Sequence, residues 1–232
     1  MNRNKFLIIL GTAHLSTTPG KAAPDSSTQE WEYSRQVCLQ VQKELIEAGY
    51  NVAIDFLPGN MANAYNDHCA NQLYELQRRV AIVNAFCDIY GKKNVIYIPI
   101  HLNAAGMGDR WMNARGWCAY TTRGETESDK LATCLYQAAA DFLLTNYAKT
   151  FTVEDVEKGQ VIVRKDMSDG DPDYESSLYV LRKTDCPAVL TENLFMDNIH
   201  DLDFLQSEEG FHTIVNIHVR GIRLYLANKI IS

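Results

Sequence analysis

The segment Asn94–His101, which reads Asn-Val-Ile-Tyr-Ile-Pro-Ile-His, decides the fold class of this chain. A short and nearly continuous run of apolar, β-prone residues is typical of a strand that is buried on both faces of a sheet. Apolar residues recur at helical spacing just before it, from Leu73 to Tyr90, and Gly91 ends that pattern. The segment is therefore predicted to be a buried strand that follows a helix.

The same alternation of strand and helix continues along the whole chain. Strands that alternate with helices form a mainly parallel or mixed sheet that is covered on both faces. We therefore predict an α/β fold, in which residues 1–232 form a single three-layer domain with a twisted, mainly parallel (mixed) central sheet flanked by helices. The predicted strands are Lys5–Leu10, Tyr50–Leu57, Asn94–Ile100, Trp117–Thr122 and Pro187–Thr191, and the predicted helices are Glu30–Ala48, Leu73–Tyr90, Ser128–Tyr147 and Phe211–Leu226.

The composition limits the possible partners. The chain has 232 residues, of which 46% are hydrophobic and 22% charged, which suffices for one sizeable core. A net charge of −7 argues against a nucleic-acid partner, because phosphate binding requires clustered Lys and Arg side chains. No stretch approaches the roughly 20 apolar residues of a membrane span. The apolar run Phe6–Leu10 is too short for a signal peptide, so we expect synthesis in the cytoplasm without a recognisable signal.

The six cysteines show no pairing pattern. No two of them form a Cys-x-x-Cys motif, which argues against a thiolate zinc site or a redox pair. Several lie in apolar periodic stretches, where a free cysteine behaves as a small core residue. We expect reduced thiols, in keeping with a protein that folds in the cytoplasm.

Three residues suited to metal binding or proton transfer follow predicted strands. His14, His101 and Glu192 each come at, or a few residues after, the end of an apolar run. Because the carboxyl ends of parallel strands share one edge of a sheet, these side chains are expected to converge. Imidazole nitrogen and carboxylate oxygen are common zinc ligands. With Glu30, at the first turn of its helix, as third ligand, the residues indicate a zinc site beside an acid, Glu192, that is free to move protons.

Each of these residues taken alone has a simpler structural interpretation. A single histidine after a strand is more often an ordinary loop residue than a metal ligand. Glu30 alone would complement the dipole at the start of its helix. Glu192 alone would be a buried acid paired with an arginine. Residue chemistry by itself therefore supports a metallohydrolase without deciding it.

Four motifs occur in order along the chain. They are Leu7–His14, Glu30–Gly49, Pro99–Ala105 with Arg79 and Asn84 before it, and Pro187–Asn198. Together they resemble the zinc-dependent N-acetylmuramoyl-L-alanine amidases often called amidase type 3, and the resemblance runs from Phe6 to Leu226. In that family a strand ends in a metal-binding histidine, a metal-binding glutamate opens a helix, a second strand ends in Ile-His-x-Asn-Ala, and a catalytic glutamate precedes a phenylalanine.

The resemblance implies a specific reaction. Zn²⁺ (one ion) would be bound by His14, Glu30 and His101, and Glu192 would be the acid and base in hydrolysis of the amide between N-acetylmuramic acid and L-alanine. The substrate would be peptidoglycan or a muropeptide. We expect a monomer that acts on the cell wall, in the periplasm or outside the cell, if another route delivers it. A phage-type lysin and an enzyme acting on imported wall fragments both fit.

The sequence departs from the family pattern at several positions. Ala13 and Leu15 replace the glycines that usually flank the first histidine, Pro99 replaces a serine, and Leu194 replaces a glycine. These changes affect the expected loop shape and substrate preference but none of the expected ligands. Glu32 is an alternative to Glu30 as ligand, although helix phase favours Glu30.

Two other functions use similar residues. A zinc carboxypeptidase-like peptidase acting on peptidoglycan stem peptides would need the same ligand types. A non-catalytic peptidoglycan-binding module would not need an acid/base residue, so Glu192 argues against it.

Overall fold

The computed structural model describes residues 5–16, 18–55 and 72–231. Within them the chain forms one sheet of six strands in the order β2-β1-β3-β6-β4-β5. The apolar segment around Ile98 is the buried strand that the sequence predicts, and it is one of the two central strands of the sheet. The strands are β1 Leu7–Thr12, β2 Asn51–Ile54, β3 Val95–Asn103, β4 Cys118–Thr121, β5 Tyr174–Glu175 and β6 Leu190–Phe195.

The sheet is mixed but mainly parallel. Strands β2, β1, β3 and β6 pair in parallel, and β5 pairs in parallel with β4. The exception is β4, which runs antiparallel to β6. The predicted fold class is confirmed, with the reversal confined to the β4–β6 boundary.

Seven α-helices are assigned in the described residues, and they cover both faces of the sheet. Four of them correspond to the predicted helices. The shorter three escape prediction because helices of five to eight residues show too little periodicity. The helices are α1 Glu30–Glu47, α2 Gln72–Tyr90, α3 Glu127–Asn146, α4 Val153–Glu157, α5 Tyr179–Lys183, α6 Ile199–Gln206 and α7 Glu208–Ile231.

The three layers follow from the alternation of side chains along each strand. On one face, Ile8 and Leu10 of β1 join a large apolar cluster with α1, α3 and α7. On the other face, Leu7 and Ile9 join a smaller cluster with α2 and α5. Every residue of β1 is buried, which explains its unbroken apolar sequence.

Two boundaries differ from the prediction in a way that matters for the site. Strands β3 and β6 continue past Ile100 and Thr191, so His101 and Glu192 lie within the strands and not after them. Polar side chains at these positions make the apolar runs look shorter than the strands. The two strands stay paired as far as Asn103 and Phe195, with a register shift after His101.

Among the described residues, no helix is long and apolar enough to cross a membrane. Five of the six cysteines are free thiols in buried positions, whereas Cys69 lies outside the described residues. The end of the predicted strand Tyr50–Leu57 also lies outside them.

Candidate active site

Strand pairing places His101 directly beside Glu192. The two residues are partners in the parallel register between β3 and β6. Residues that pair in this way present neighbouring side chains on the same face of a sheet. A potential metal ligand and a potential acid/base residue, 91 positions apart in the sequence, are therefore neighbours.

Helix α1 brings Glu30 to the same place. Glu30 is its first residue, is fully buried, and contacts both histidines. Its Oε1 lies 2.9 Å from His101 Nδ1 and accepts a hydrogen bond of 3.2 Å from the backbone N–H of Leu102. Its Oε2 lies 3.3 Å from His14 Nε2. Glu32, the alternative ligand, is exposed on the surface of the helix.

The loop after β1 holds His14 in an unusual backbone conformation. His14 has a φ of 45°, in the left-handed region that non-glycine residues rarely adopt. Its carbonyl oxygen accepts a hydrogen bond of 3.1 Å from Arg79 Nη2. The preceding N–H, of Ala13, donates to Ser34 Oγ at 2.8 Å. These contacts turn the His14 ring toward His101, at 4.9 Å between centroids and nearly perpendicular.

The three side chains have the geometry of a metal site. One potential ligand atom each of His14, Glu30 and His101 lies within 4.8 Å of the other two. Glu30 Oε2 is buried, and its contact with His14 does not meet hydrogen-bond geometry, so one carboxylate oxygen remains available. Two imidazoles and one carboxylate form a donor set that suits a divalent transition metal and leaves a coordination position open.

Charge and burial favour the ligand forms of Glu30 and His101. Burial alone would raise the pKa of Glu30, but the hydrogen bond with His101 and the nearby His14 imidazole hold that pKa below its ordinary value. Burial lowers the pKa of His101, although the Glu30 carboxylate opposes this effect. A carboxylate and a neutral imidazole are the protonation states that metal binding requires.

Glu192 has the environment of an acid/base residue. Its Oε2 is buried without a hydrogen-bond partner among the described residues. Burial, and secondarily the negative charge of Glu30, raise the pKa of Glu192 well above its usual range, and Lys21 acts in the opposite direction. A carboxyl group whose protonated form is stabilised in this way is a stronger base than an ordinary glutamate and can hold a proton before passing it on. If Glu192 were only a buried structural acid, it would be expected to pair with an arginine. The ion pairs of the described residues include no pair between Glu192 and an arginine.

A buried polar network supports the β6 segment from the other face of the sheet. Asn193 donates from Nδ2 to the carbonyl oxygen of His101 at 2.9 Å and to Thr191 Oγ1 at 3.0 Å. Its Oδ1 accepts a bond of 2.8 Å from the indole N–H of Trp117. Thr191 Oγ1 lies 2.9 Å from His218 Nε2. Sequence analysis missed Thr191 and Asn193, although their alternation around Glu192 placed them on the opposite face.

His218 should make the protein less stable in mild acid. Its Nδ1 lies 2.7 Å from the carbonyl oxygen of Ile214, and burial lowers its pKa to about 4 from an ordinary value of 6.5. The unfolded chain therefore binds a proton below pH 6.5 that the folded chain does not accept until about pH 4. We expect this residue to remove roughly 3 kcal/mol from the free energy of unfolding as the pH falls through that window.

Urea unfolding of the wild type and of His218→Gln at pH 7.5, 5.5 and 4.5 checks this expectation. Glutamine offers both a donor and an acceptor but does not titrate, so the stability difference between the proteins should narrow as the pH falls. Other titrating groups contribute equally to both proteins. Parallel stability curves for the two proteins across this range would contradict the assignment.

Both the sequence and the fold of the chain are similar to those of known proteins. The profile of the family Amidase_3, described as N-acetylmuramoyl-L-alanine amidase, matches residues 8–223. A search of curated proteins finds no match. The sequence motifs and the profile thus point to the same family over nearly the whole chain.

Several solved structures share the fold. An N-acetylmuramoyl-L-alanine amidase from Clostridium difficile 630 has a TM-score of 0.68 at 18% identity, covering 97% of this chain and 99% of that one. The amidase Ami1 from Mycobacterium smegmatis has a TM-score of 0.68 at 16% identity, with 98% and 100% covered. The amidase AmiC2 of Nostoc punctiforme has a TM-score of 0.65 at 20% identity, with 97% and 98% covered. At these identities the likeness establishes the fold.

Proposed function

Because the chain belongs to the N-acetylmuramoyl-L-alanine amidase family, we propose that it hydrolyses the amide bond between N-acetylmuramic acid and L-alanine in bacterial peptidoglycan. The observation that carries this proposal is the register pairing of His101 with Glu192, beside Glu30 and His14. This arrangement combines a potential metal site with a buried acid in a single location. Such a combination is what metal-assisted amide hydrolysis requires.

The proposed metal ion is a single Zn²⁺ bound by His14, Glu30 and His101. The donor set fits zinc, and the buried oxygen of Glu30 without a hydrogen bond supports a cation at this point. When bound, zinc supplies Lewis acidity that activates water and polarises the amide carbonyl. Leu102 stabilises the ligand set by donating its N–H to Glu30.

Glu192 is the proposed acid and base. Its carboxylate accepts a proton from the attacking water as the water oxygen bonds to the carbonyl carbon. The resulting carboxylic acid then donates that proton to the amide nitrogen as the carbon–nitrogen bond breaks, which releases the amine of L-alanine. The raised pKa of Glu192 suits the second step, because a less acidic carboxyl holds the accepted proton more readily until the amide nitrogen takes it.

The setting of the reaction follows from the substrate. Peptidoglycan is the wall polymer, so we propose that the protein acts as a monomer on the cell wall after delivery. Lysis from within by a phage-type enzyme and degradation of wall fragments are both compatible with this chemistry.

Products of digestion test the proposal directly. Incubation with purified peptidoglycan, followed by mass spectrometry, is expected to release stem peptides with a free L-alanine amine and glycan with unsubstituted muramic acid. Dialysis against a chelator should remove the activity, and added Zn²⁺ should restore it. Metal analysis of the purified protein should find one zinc per chain.

Two results would point to the rival functions. Shortened stem peptides still attached to muramic acid would indicate a peptidase. Stable binding to sacculi without any new amino groups would indicate a binding module. Either result would contradict the proposed amidase reaction.

A further inference from the structure

We propose that Asp129, Asp171 and Asp173 form a second cation site, for Ca²⁺, at the β5 edge of the sheet. One carboxylate oxygen of each residue lies within 4.8 Å of those of the other two. Asp129 belongs to the first turn of α3, and Asp173 directly precedes β5. The site would therefore join a helix and a loop more than 40 positions apart in the sequence.

Buried oxygen atoms without partners point to a ligand at this position. Asp173 is only 2% exposed, and its Oδ1 is buried without a hydrogen-bond partner among the described residues. Its Oδ2 accepts a hydrogen bond from Thr121 Oγ1 at 2.5 Å. Asp171 Oδ1 is also buried and has no hydrogen-bond partner in the part of the chain that the structure describes. A buried acceptor left unsatisfied is costly, so each such atom calls for a compensating group.

No basic side chain among residues 5–16, 18–55 and 72–231 forms an ion pair with the three aspartates. The nearby Lys130 pairs with Glu127 instead. Burial, and secondarily the neighbouring Asp171 carboxyl, raise the pKa of Asp173 to about 7. Carboxylates brought together in the fold repel one another unless a proton or a cation lies between them.

The ligand chemistry favours a hard divalent cation. All the side chains offer oxygen and none offers nitrogen or sulfur, which suits Ca²⁺ and differs from the His-rich site at Glu30. The Asp-x-Asp spacing of Asp171 and Asp173 brings two carboxylates from one loop. Asp129 is held rigidly, because it also accepts a hydrogen bond from the N–H of Thr126 in the capping box of α3.

Calcium binding should stabilise the zinc-loaded protein. We expect CaCl₂ at about 100 times the dissociation constant to raise Tm by roughly 5 °C, and calorimetry to give one Ca²⁺ per chain. Loading the protein with zinc first keeps the His14 site from contributing. MgCl₂ at the same concentration controls for ionic strength.

Matched variants locate the site. Asp173→Asn and Asp171→Asn should abolish both the calcium-dependent shift and the heat of binding. Asp169→Asn, which removes the same charge from an exposed position of the same loop, should leave both unchanged. The circular dichroism spectrum of each variant reports whether it is folded.

Three results would overturn the proposal. They are the absence of calcium binding by the wild type, equal shifts with Mg²⁺ and Ca²⁺, and calcium binding by Asp173→Asn and Asp171→Asn that matches the wild type. Because the measurements follow binding and stability, their outcome does not depend on amidase activity.

Discussion

Replacing Glu192 with glutamine is expected to lower kcat by at least about 1,000-fold, because the variant has no group that can accept the proton of water. Glutamine keeps the shape of the side chain, so the β3–β6 register should be retained. Turnover of purified peptidoglycan, followed as the release of amino groups, measures the loss.

Zinc binding should survive this substitution. Glu192 is not one of the three proposed ligands, and glutamine has nearly the same size and shape as glutamate. The substitution should therefore leave His14, Glu30 and His101 in their positions. We therefore expect one zinc per chain in Glu192→Gln by metal analysis, with an unchanged melting profile.

The matched control is Glu125→Gln, which makes the same chemical change at an exposed position. It should retain the activity of the wild type. If Glu192→Gln lost zinc together with activity, Glu192 would be a ligand and the roles of the four residues would have to be reassigned. If it retained activity, another group would have to be the base.

The second large effect is expected from Arg79→Met, which should lower the free energy of unfolding by about 3–5 kcal/mol. Arg79 is 3% exposed and joins two buried acids: its Nη1 lies 2.9 Å from Asp55 Oδ2, and its Nε lies 2.7 Å from Glu75 Oε1. Methionine fills similar space but leaves both acids without this cation. Equilibrium unfolding in urea at pH 7.5 measures the loss.

Arg79 also connects stability to the site. Its Nη2 donates to the carbonyl oxygen of His14, which has the left-handed conformation described above. Loss of this bond should weaken zinc binding, which a chelator competition with the folded variant would measure.

Arg78→Met is the control for Arg79→Met, because it removes the neighbouring arginine. Arg78 lies on a more exposed part of α2, and its guanidinium is 6.0 Å from the ring centre of Tyr74. Its effect should stay below about 1 kcal/mol. Equal losses of unfolding free energy in the two variants would show that the contacts of Arg79 with Asp55 and Glu75 do not account for its effect.

The sequence motifs identified most, but not all, of the side chains that meet at the candidate site. The four motifs include His14, Glu30, His101 and Glu192. The structure brings these four residues together near the carboxyl ends of β1, β3 and β6. Their individual roles remain proposals. Lys21, whose Nζ lies 3.9 Å from Glu30 Oε2, was missed because a lysine in a long loop has no periodic or motif signal.

The sequence by itself determined the order of the longer strands and helices, because apolar spacing reflects which faces of each element are buried. It did not indicate the two-residue strand β5 or the three short helices. It also determined the fold class, since buried strands that alternate with helices form a mainly parallel sheet. These apolar patterns are local, extending over one strand or a few helical turns. They can therefore be recognised without knowing which other segments pack against that element.

The sequence predicted that His14, His101 and Glu192 converge, but only the tertiary structure decided which side chains are direct neighbours. The register of β3 on β6 puts His101 beside Glu192, and the antiparallel β4 with β5 at its edge brings Asp173 to Asp129. Strand register and the reversal of β4 arise from packing between segments far apart in the chain. A local pattern contains no information about such pairings, because every strand of similar composition is an equally suitable neighbour.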